Sequence, residues 1–396
     1  MPKIMAVNAG SSSLKFQLFD MPSEHVLVAG VIERIGMEDA IVTIKYDGKK
    51  KEQVLPIKDH SVAVKILLDA LISEKIVESL SEINGVGHRV VHGGEEFAQS
   101  IVIDHRVEST IDELRDLAPL HNPANLTGYR AFRDALPGVG HVAVFDTAFH
   151  QTMEADRYIY PIPYEFYEQY KVRRYGFHGT SHMYVSQQAI QMLGNPKESR
   201  IITCHIGNGA SLAAVLNGKC IDTSMGFTPL GGVMMGTRSG DMDPAIVTYL
   251  AKKTGKTAEN VINVLNKNSG LLGVSGVSSD ARDIMDAIDK GNERAKLARQ
   301  IHINTVANFL ASYYVELGGC DAIVFTAGLG ENDIRFRQEL CDKIGPALGV
   351  KIDAAKNNVR CKLTDIATPD SKVRVFIVPT NEELMIARDT TSLLAL

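Results

Sequence analysis

Apolar and polar positions alternate through the first fifty residues. Residues 4–7, 14–19, 26–32 and 40–46 are β-branched or aromatic runs separated by Gly, Pro, Ser and Asp, which predicts four strands. Between Val62 and Leu80 the spacing changes: Val62, Val64, Ile66, Leu67 and Leu71 recur as on one face of a helix. Residues 84–91 return to a strand pattern, 108–117 and 125–135 read as helices, and 141–145 form a compact apolar strand ending at Asp146. Residues 151–200, rich in Tyr, Pro and His, read as a loop-rich bridge with one helix near 181–193.

At Ile201 the opening pattern comes back. Residues 201–216 are a strand, a Gly/Asn turn with a Ser, and a second strand, as residues 4–19 are. Later, 295–315 are helical, 322–326 are an apolar strand, and Gly328 and Gly330 break it. This order is expected to repeat the helix near 125–135, the strand 141–145 and its polar break at Asp146. Two copies of one mixed α/β unit would produce this; two unrelated hairpins are the alternative. No Pro/Gly/Ser linker lies between the halves.

Composition narrows the function classes. Of 396 residues, 45% are apolar and 22% charged, the ordinary mix of a globular chain with material for more than one core. Lys and Arg number 42 against 47 Asp and Glu, a net charge of −5 that argues against a broad nucleic-acid surface or a polybasic membrane surface. No apolar run approaches the roughly 18 residues of a membrane span. The N-terminus reads as a strand entering a turn rather than a secretion signal, so a cytoplasmic protein is expected. Five widely spaced cysteines include no CxxC pair, which points to neither a zinc site nor a disulfide framework. Asn125 heads an Asn-x-Thr sequon, read as accidental.

Three polar, glycine-bearing turns follow apolar strands, at residues 8–13, 205–211 and 328–332, with Lys15 just after the first. Such turns let backbone N–H groups approach an anion; plain hairpin turns are the alternative. Neither GxxxxGK[ST] nor GxGxxG occurs, which disfavours a P-loop or dinucleotide-binding site. Asp146 is a magnesium or catalytic candidate, or else a helix cap. His178 and His182 are four apart but lack a third ligand, so a hydrogen-bonding role for His178 is preferred to a metal site; capping of the next helix is the alternative. Arg89 and Arg238 stand among glycines and apolar residues. Either they meet an anionic substrate or they are buried in pairs with Glu95 or Asp241. Together these residues outline an anion-handling site suited to phosphoryl transfer.

The segments Val7-Asn-Ala-Gly-Ser-Ser-Ser-Leu-Lys15, Gly87-His-Arg-Val-Val-His-Gly-Gly94, Pro119-Leu-His-Asn-Pro123, Phe145-Asp-Thr-Ala-Phe-His150, Tyr175-Gly-Phe-His-Gly-Thr-Ser-His182, His205-Ile-Gly-Asn-Gly209, residues 231–243, Gly328-Leu-Gly-Glu-Asn332 and Pro379-Thr-Asn-Glu-Glu383 resemble the acetokinase family. That family lies within the acetate and sugar kinase/heat-shock ATPase/actin superfamily. The resemblance covers essentially the whole chain.

It implies an α/β protein of two duplicated ribonuclease H-like domains flanking a nucleotide cleft, the actin-like ATPase fold. The first domain would comprise 1–148 plus 384–396 and the second, nucleotide-binding domain 149–383. The implied reaction is ATP plus acetate giving ADP plus acetyl phosphate, by direct in-line transfer with magnesium or manganese, in a homodimer. By the same resemblance Asp146, His178 and Arg238 are catalytic, and Arg89, Val91, Leu120, Phe177 and Pro229 form the acetate pocket. Asn8 and Glu382 hold the metal. Nucleotide contacts fall to Ser11, Ser13 and Lys15 at the phosphate end, with His205, Ile206, Gly207, Asn208, Gly209, Asp280, Ala281, Arg282, Gly328, Leu329, Gly330, Glu331 and Asn332. Two rival readings are a kinase for propionate or another short fatty acid, and a nucleotide-driven switch without a phosphorylated product. The paired arginines and His178 speak against the switch, which needs no second anion site.

Overall fold

A computed structural model describes residues 1–119 and 121–396 of the chain. They divide into two compact units, Met1–Phe149 with Asn381–Leu396, and His150–Thr380.

In the first unit β1 (Lys3–Ala9), β2 (Ser13–Asp20), β3 (His25–Glu33), β4 (Met37–Tyr46) and β5 (Lys49–Ile57) form an antiparallel meander. β6 (Ile83–Val90) and β8 (Gly140–Phe145) run parallel to β1, and the short β7 (Ile101–Val102) closes the edge. The sheet order is β5-β4-β3-β2-β1-β6-β8-β7. Successive side chains of β6 point to opposite faces. Val86 joins the core shared with helices His60–Ser73 and Asn122–Ala135. Gly85 and Gly87 face helix Glu382–Leu393 instead; a Cβ on Gly87 would lie 2.3 Å from Thr390 Oγ1 and 2.4 Å from Ile386 Cγ2.

The second unit holds β9 (Arg200–Ile206), β10 (Ala210–Leu216), β11 (Lys219–Thr223), β12 (Ala322–Thr326), β13 (Thr364–Asp365) and β14 (Arg374–Ile377), in the order β11-β10-β9-β12-β14-β13. The duplication is visible in this order. β11-β10-β9-β12-β14-β13 reproduces β3-β2-β1-β6-β8-β7, including which pairs are parallel and a two-residue antiparallel edge strand at the end. The correspondence differs from the expected one by a step. β12 lies beside β9 as β6 lies beside β1, so the counterpart of β8 is β14, not β12.

Other departures have local causes. β5 was not expected because six of its first residues are exposed and the opening Lys-Lys-Lys-Glu carries no apolar alternation. It is an edge strand, where such charges block pairing with another chain, and the Asp47-Gly48 turn, both residues at positive φ, sets it against β4. The helix expected over 62–80 ends at Ser73, because Lys75 adopts φ +58 and the chain then runs extended to a short 3-10 turn at Leu80–Glu82. Residues 328–332 are not an open turn but part of a short helix, Ala327–Asn332. Asn381, Glu382 and Glu383, expected with the second domain, belong to the first unit, since Asn381 caps the helix that packs on its sheet. Among the described residues no helix is long and apolar enough to cross a membrane, and all five cysteines are free.

The first unit also buries two histidines together. His88 and His141, 2% and 5% exposed, share a hydrogen bond of 2.9 Å between Nε2 and Nδ1. Burial, with Arg133 adding to it, pushes His141 down to about 4. Its folded value lies below the unfolded one, so the pair's contribution is complete above about pH 6.5 and is lost as pH falls towards 4. His141 alone should account for roughly 3 kcal/mol of acid-induced destabilisation. Melting temperatures taken from pH 7 to 4 should fall less steeply in His141→Gln; parallel curves would refute this origin.

Candidate active site

The candidate residues of the first unit stand at the carboxyl ends of β1, β6 and β8, the place where α/β sheets commonly bind ligands. Asn8 is the second-last residue of β1, Arg89 lies near the end of β6, and Asp146 directly follows β8. Arg89 Nε and Nη2 donate to the two carboxylate oxygens of Asp146 at 2.8 and 2.6 Å. The partner of Arg89 is therefore neither Glu95 nor a lone substrate: two residues expected to serve the reaction separately are bound to each other. Both carboxylate oxygens of the buried Asp146 are thus engaged by Arg89 rather than by the N–H groups of a helix start. Burial disfavours the charge on Arg89, but Asp146 outweighs it, with Glu382 and Glu383 adding, and the guanidinium is held more firmly protonated than usual.

Glu382 opens helix Glu382–Leu393 beside this pair. Its Oε1 is buried without a hydrogen-bond partner. Burial, then Asp146 and Glu383, push its carboxyl up to about 7, against the opposing pull of Arg89 and Lys15. A buried carboxylate oxygen with no donor suits a cation, so the chemistry of Glu382 fits a divalent metal; Asn8, near the end of β1, lies in the same unit. Lys15 pairs with Glu383, Ser11 is exposed in the turn after β1 and Ser13 is half-buried at the start of β2. Val91 is buried, and its N–H donates to Asn125 Oδ1 at 3.0 Å. Leu120 lies outside the described residues.

In the second unit His178 is the N-cap of helix Gly179–Met192 at φ +59, but its side chain does not cap the helix. Its Nδ1 shares a hydrogen bond of 2.8 Å with Ser211 Oγ, which also meets His182 Nε2 at 2.7 Å; His182 Nδ1 reaches Thr203 Oγ1 at 2.7 Å. Both nitrogens of His182 are thus engaged. Among the described residues no three His, Cys, Asp or Glu side chains form a metal cluster, which leaves His178 its hydrogen-bonding role. The His178 ring stacks on His205 at 4.1 Å.

Arg238 is half-buried with no carboxylate partner among the described residues. Its Nη1 donates to the Pro229 carbonyl at 3.2 Å, and burial lowers its pKa. Asp241, the expected alternative partner, instead accepts from the Gly232 N–H at 2.7 Å. Close packing requires glycine near Arg238: Gly240, at φ +72, would place a Cβ 2.5 Å from the Gly232 carbonyl oxygen. Phe177 is buried and its carbonyl accepts from His150 Nε2 at 2.9 Å.

A cavity of about 950 Å³ opens in the same unit. Of the residues expected to meet nucleotide, Gly207 and Asn208 after β9, Gly328, Leu329 and Asn332 in helix Ala327–Asn332, and Asp280, Ala281 and Arg282 line it. His205, Ile206, Gly209, Gly330 and Glu331 do not. His205 Nδ1 pairs with Ser181 Oγ, and Ile206 is buried in β9. The Glu331 side chain turns inward, where Oε1 accepts from the Ala327 and Thr380 N–H groups at 2.8 and 3.0 Å and ties the end of β12 to the segment after β14.

The family model described as the Acetokinase family matches residues 3–388. The chain belongs to the acetokinase family. An acetokinase relative from Anoxybacillus flavithermus named acetate kinase is 57% identical over 394 residues, 99% of each chain. The crystal structure of Porphyromonas gingivalis acetate kinase matches all of both chains with a TM-score of 0.95 and 46% identity. A propionate kinase from Francisella tularensis matches with a TM-score of 0.94 and 42% identity over 99% of this chain and 100% of its own. The acetokinase assignment makes the chain a kinase with the duplicated actin-like ATPase fold, in agreement with the two matching sheet orders.

Several residues of this acetokinase site escaped the sequence. Asn122 and Asn125 are buried struts. Asn122 bonds the His92 N–H and carbonyl, while Asn125 Nδ2 donates to the Ala9 carbonyl at 2.8 Å, joining the ends of β1 and β6. The sequon at Asn125 marks this strut, 4% exposed and closed to modification. The Pro at the second position of helix Asn122–Ala135 is the one signal that marked its start. Leu271, Met285 and His302 line the cavity with no motif to announce them.

Proposed function

We propose that this acetokinase transfers the γ-phosphoryl group of ATP to acetate, reversibly, giving acetyl phosphate and ADP, with magnesium, as a cytoplasmic homodimer. The observation that carries this reading is the full-length similarity to relatives named for acetate. The nucleotide is assigned to the cavity of the second unit, and acetate and metal to the strand ends of the first.

Acetate is ionised near pH 7, as carboxyls of pKa about 4 are, so no general base is needed to make it a nucleophile. The difficulty is to bring one anion against another. Arg89, with two donors committed to Asp146, offers its remaining Nη1 to the acetate carboxylate. Asp146 is then the residue that fixes the orientation of that fork. Arg238, with no internal counter-charge, and His178, set by Ser211, stabilise charge on the transferring group. Asn8 and Glu382 would hold the magnesium, which when bound neutralises phosphate charge. Val91 and Leu120 of the first unit are assigned to the methyl end of acetate and Ser11, Ser13 and Lys15 to the phosphates; Phe177 and Pro229, in the second unit, keep only the role the resemblance implies.

Acetyl hydroxamate should form from acetate, ATP, magnesium and hydroxylamine, and kcat/KM for acetate should exceed that for propionate and butyrate. The propionate kinase of near-identical fold makes this second substrate the reading to beat, since one methylene separates them by only about 10- to 200-fold. Hydroxamate formation that is faster with propionate would overturn the acetate assignment.

The metal assignment has its own test. Glu382→Gln removes a buried carboxylate that lacks a donor, so the metal-free protein should melt no lower than the parent. Adding magnesium to the ADP-bound protein should raise the melting temperature of the parent further but not that of the variant. An equal rise in both would remove Glu382 from the metal site.

A further inference from the structure

A chain of hydrogen bonds runs from His178 back into the sheet of the second unit. His178 Nδ1 meets Ser211 Oγ at 2.8 Å, Ser211 Oγ meets His182 Nε2 at 2.7 Å, and His182 Nδ1 meets Thr203 Oγ1 at 2.7 Å. The chain ends on backbone, where Thr203 Oγ1 donates to the Ala213 carbonyl at 3.4 Å. Thr203, His182 and Ser211 are fully buried, so water does not compete for these bonds. Burial, with His150 and His205 adding to it, pushes His182 well down and keeps it neutral. It therefore carries one N–H donor and one acceptor nitrogen.

A carbonyl only accepts, and this sets the direction of every bond behind it. Thr203 gives its one proton to Ala213, so its oxygen accepts from His182 Nδ1–H. His182 Nε2 is then the acceptor and takes the Ser211 proton, which leaves the Ser211 oxygen to accept from His178 Nδ1–H. The reverse order would forfeit the bond to Ala213, one bond fewer in a buried chain. With its proton held on Nδ1, a neutral His178 presents Nε2 as an acceptor; only the imidazolium donates there. That nitrogen and Arg238 approach the same glycine: a Cβ on Gly209 would lie 3.6 Å from His178 Nε2 and 3.3 Å from Arg238 Nη1. An acceptor at this point would repel the phosphoryl oxygens that Arg238 attracts.

We propose that Thr203, His182 and Ser211 are positioning residues that hold His178 in its Nδ1–H form, so that His178 serves phosphoryl transfer only as the imidazolium, donating through Nε2. This rests on the phosphoryl role given to His178 above. The titratable and charged groups facing the ring are Arg238, His205 stacked on it at 4.1 Å, and the neutral His182. Arg238 opposes a second positive charge, whereas an incoming phosphate favours it, so the anion itself promotes the charged donor.

The experiment measures kcat against pH at saturating acetate, ATP and magnesium. In the parent kcat should fall about tenfold for each pH unit above the midpoint of an alkaline limb. Thr203→Val keeps the shape of the side chain but removes the hydroxyl that orders the chain. A neutral His178 can then carry its proton on Nε2, so the limb should flatten to a plateau about tenfold below the neutral-pH rate, the difference between a charged and a neutral donor. Ser211→Ala should flatten it as well, and Thr203→Ser should restore the steep fall. A merely structural role would lower kcat equally at every pH. Nitrogen NMR of the histidine-labelled parent reads the tautomers without turnover: His182, and His178 above the limb, should each hold their proton on Nδ1. A proton on Nε2 of either overturns the proposal, as does a parent without the limb, or a limb equally steep in Thr203→Val and Ser211→Ala. If NMR shows the Nδ1–H forms but His178→Ala loses less than tenfold in kcat, the phosphoryl role of His178 fails, and the proposal with it.

Discussion

Replacing Arg238 with alanine should lower kcat for phosphoryl transfer to acetate by about a hundredfold or more while leaving the fold intact. Removal of one preorganised charge donor costs about 3 kcal/mol of transition-state stabilisation. The structural cost should be small, because the guanidinium meets no carboxylate and its one oxygen partner is the Pro229 carbonyl. Burial already disfavours its charge. The melting temperature should therefore move by no more than about 2 °C, the scale of less than 1 kcal/mol in a unit of this size. Hydroxamate kinetics and calorimetry on the same preparation decide the matter: a fall in kcat of less than about tenfold would take Arg238 out of the phosphoryl site.

Arg89→Ala should behave in the opposite way, with both substrate affinity and stability suffering. Loss of a charged hydrogen bond to the acetate carboxylate should raise its KM about 10- to 100-fold, with KM for ATP changed far less. The same substitution leaves Asp146, 1% exposed, without its counter-charge and close to the buried Glu382. Uncompensated burial of that kind costs about 3 kcal/mol, which should lower the melting temperature by roughly 6–12 °C. Adding Asp146→Asn to Arg89→Ala removes the stranded charge, so stability should recover in part while acetate affinity does not. If KM for ATP rises in step with that for acetate, Arg89 serves the nucleotide or the fold.

The parallel strands were legible because burial on both faces demands unbroken apolar runs, and the site residues were legible because they interrupt those runs at their carboxyl ends. Asn8, Arg89, Asp146 and Gly207 all stand at such breaks. β5 was not legible, since an edge strand is specified by its partner and its turn rather than by apolar residues. The pairing of Arg89 with Asp146, 57 residues apart, depends on β6 and β8 being neighbours, which periodicity does not reveal. Glu331 was misleading for a related reason: it sits in a phosphate-type motif, yet its carboxylate is consumed by the backbone of two strand ends. His302 had no signal at all, since nothing in the sequence of a long helix marks which residue borders a cavity.

The helix Glu382–Leu393 completes the first unit by covering the glycines of β6, yet it is made only after the whole of His150–Thr380. On the ribosome, strands β1 to β8 must therefore wait with one face bare while the second unit emerges and folds. The later-made unit can reach its native state first, reversing the usual N-to-C order of maturation. Until residues 382–393 arrive, the growing chain also lacks Glu382 and Glu383, the carboxylates that act on Arg89 beside Asp146. A nascent chain arrested just after Thr380 should accordingly yield a protease-resistant second half and a first half that chaperones still hold.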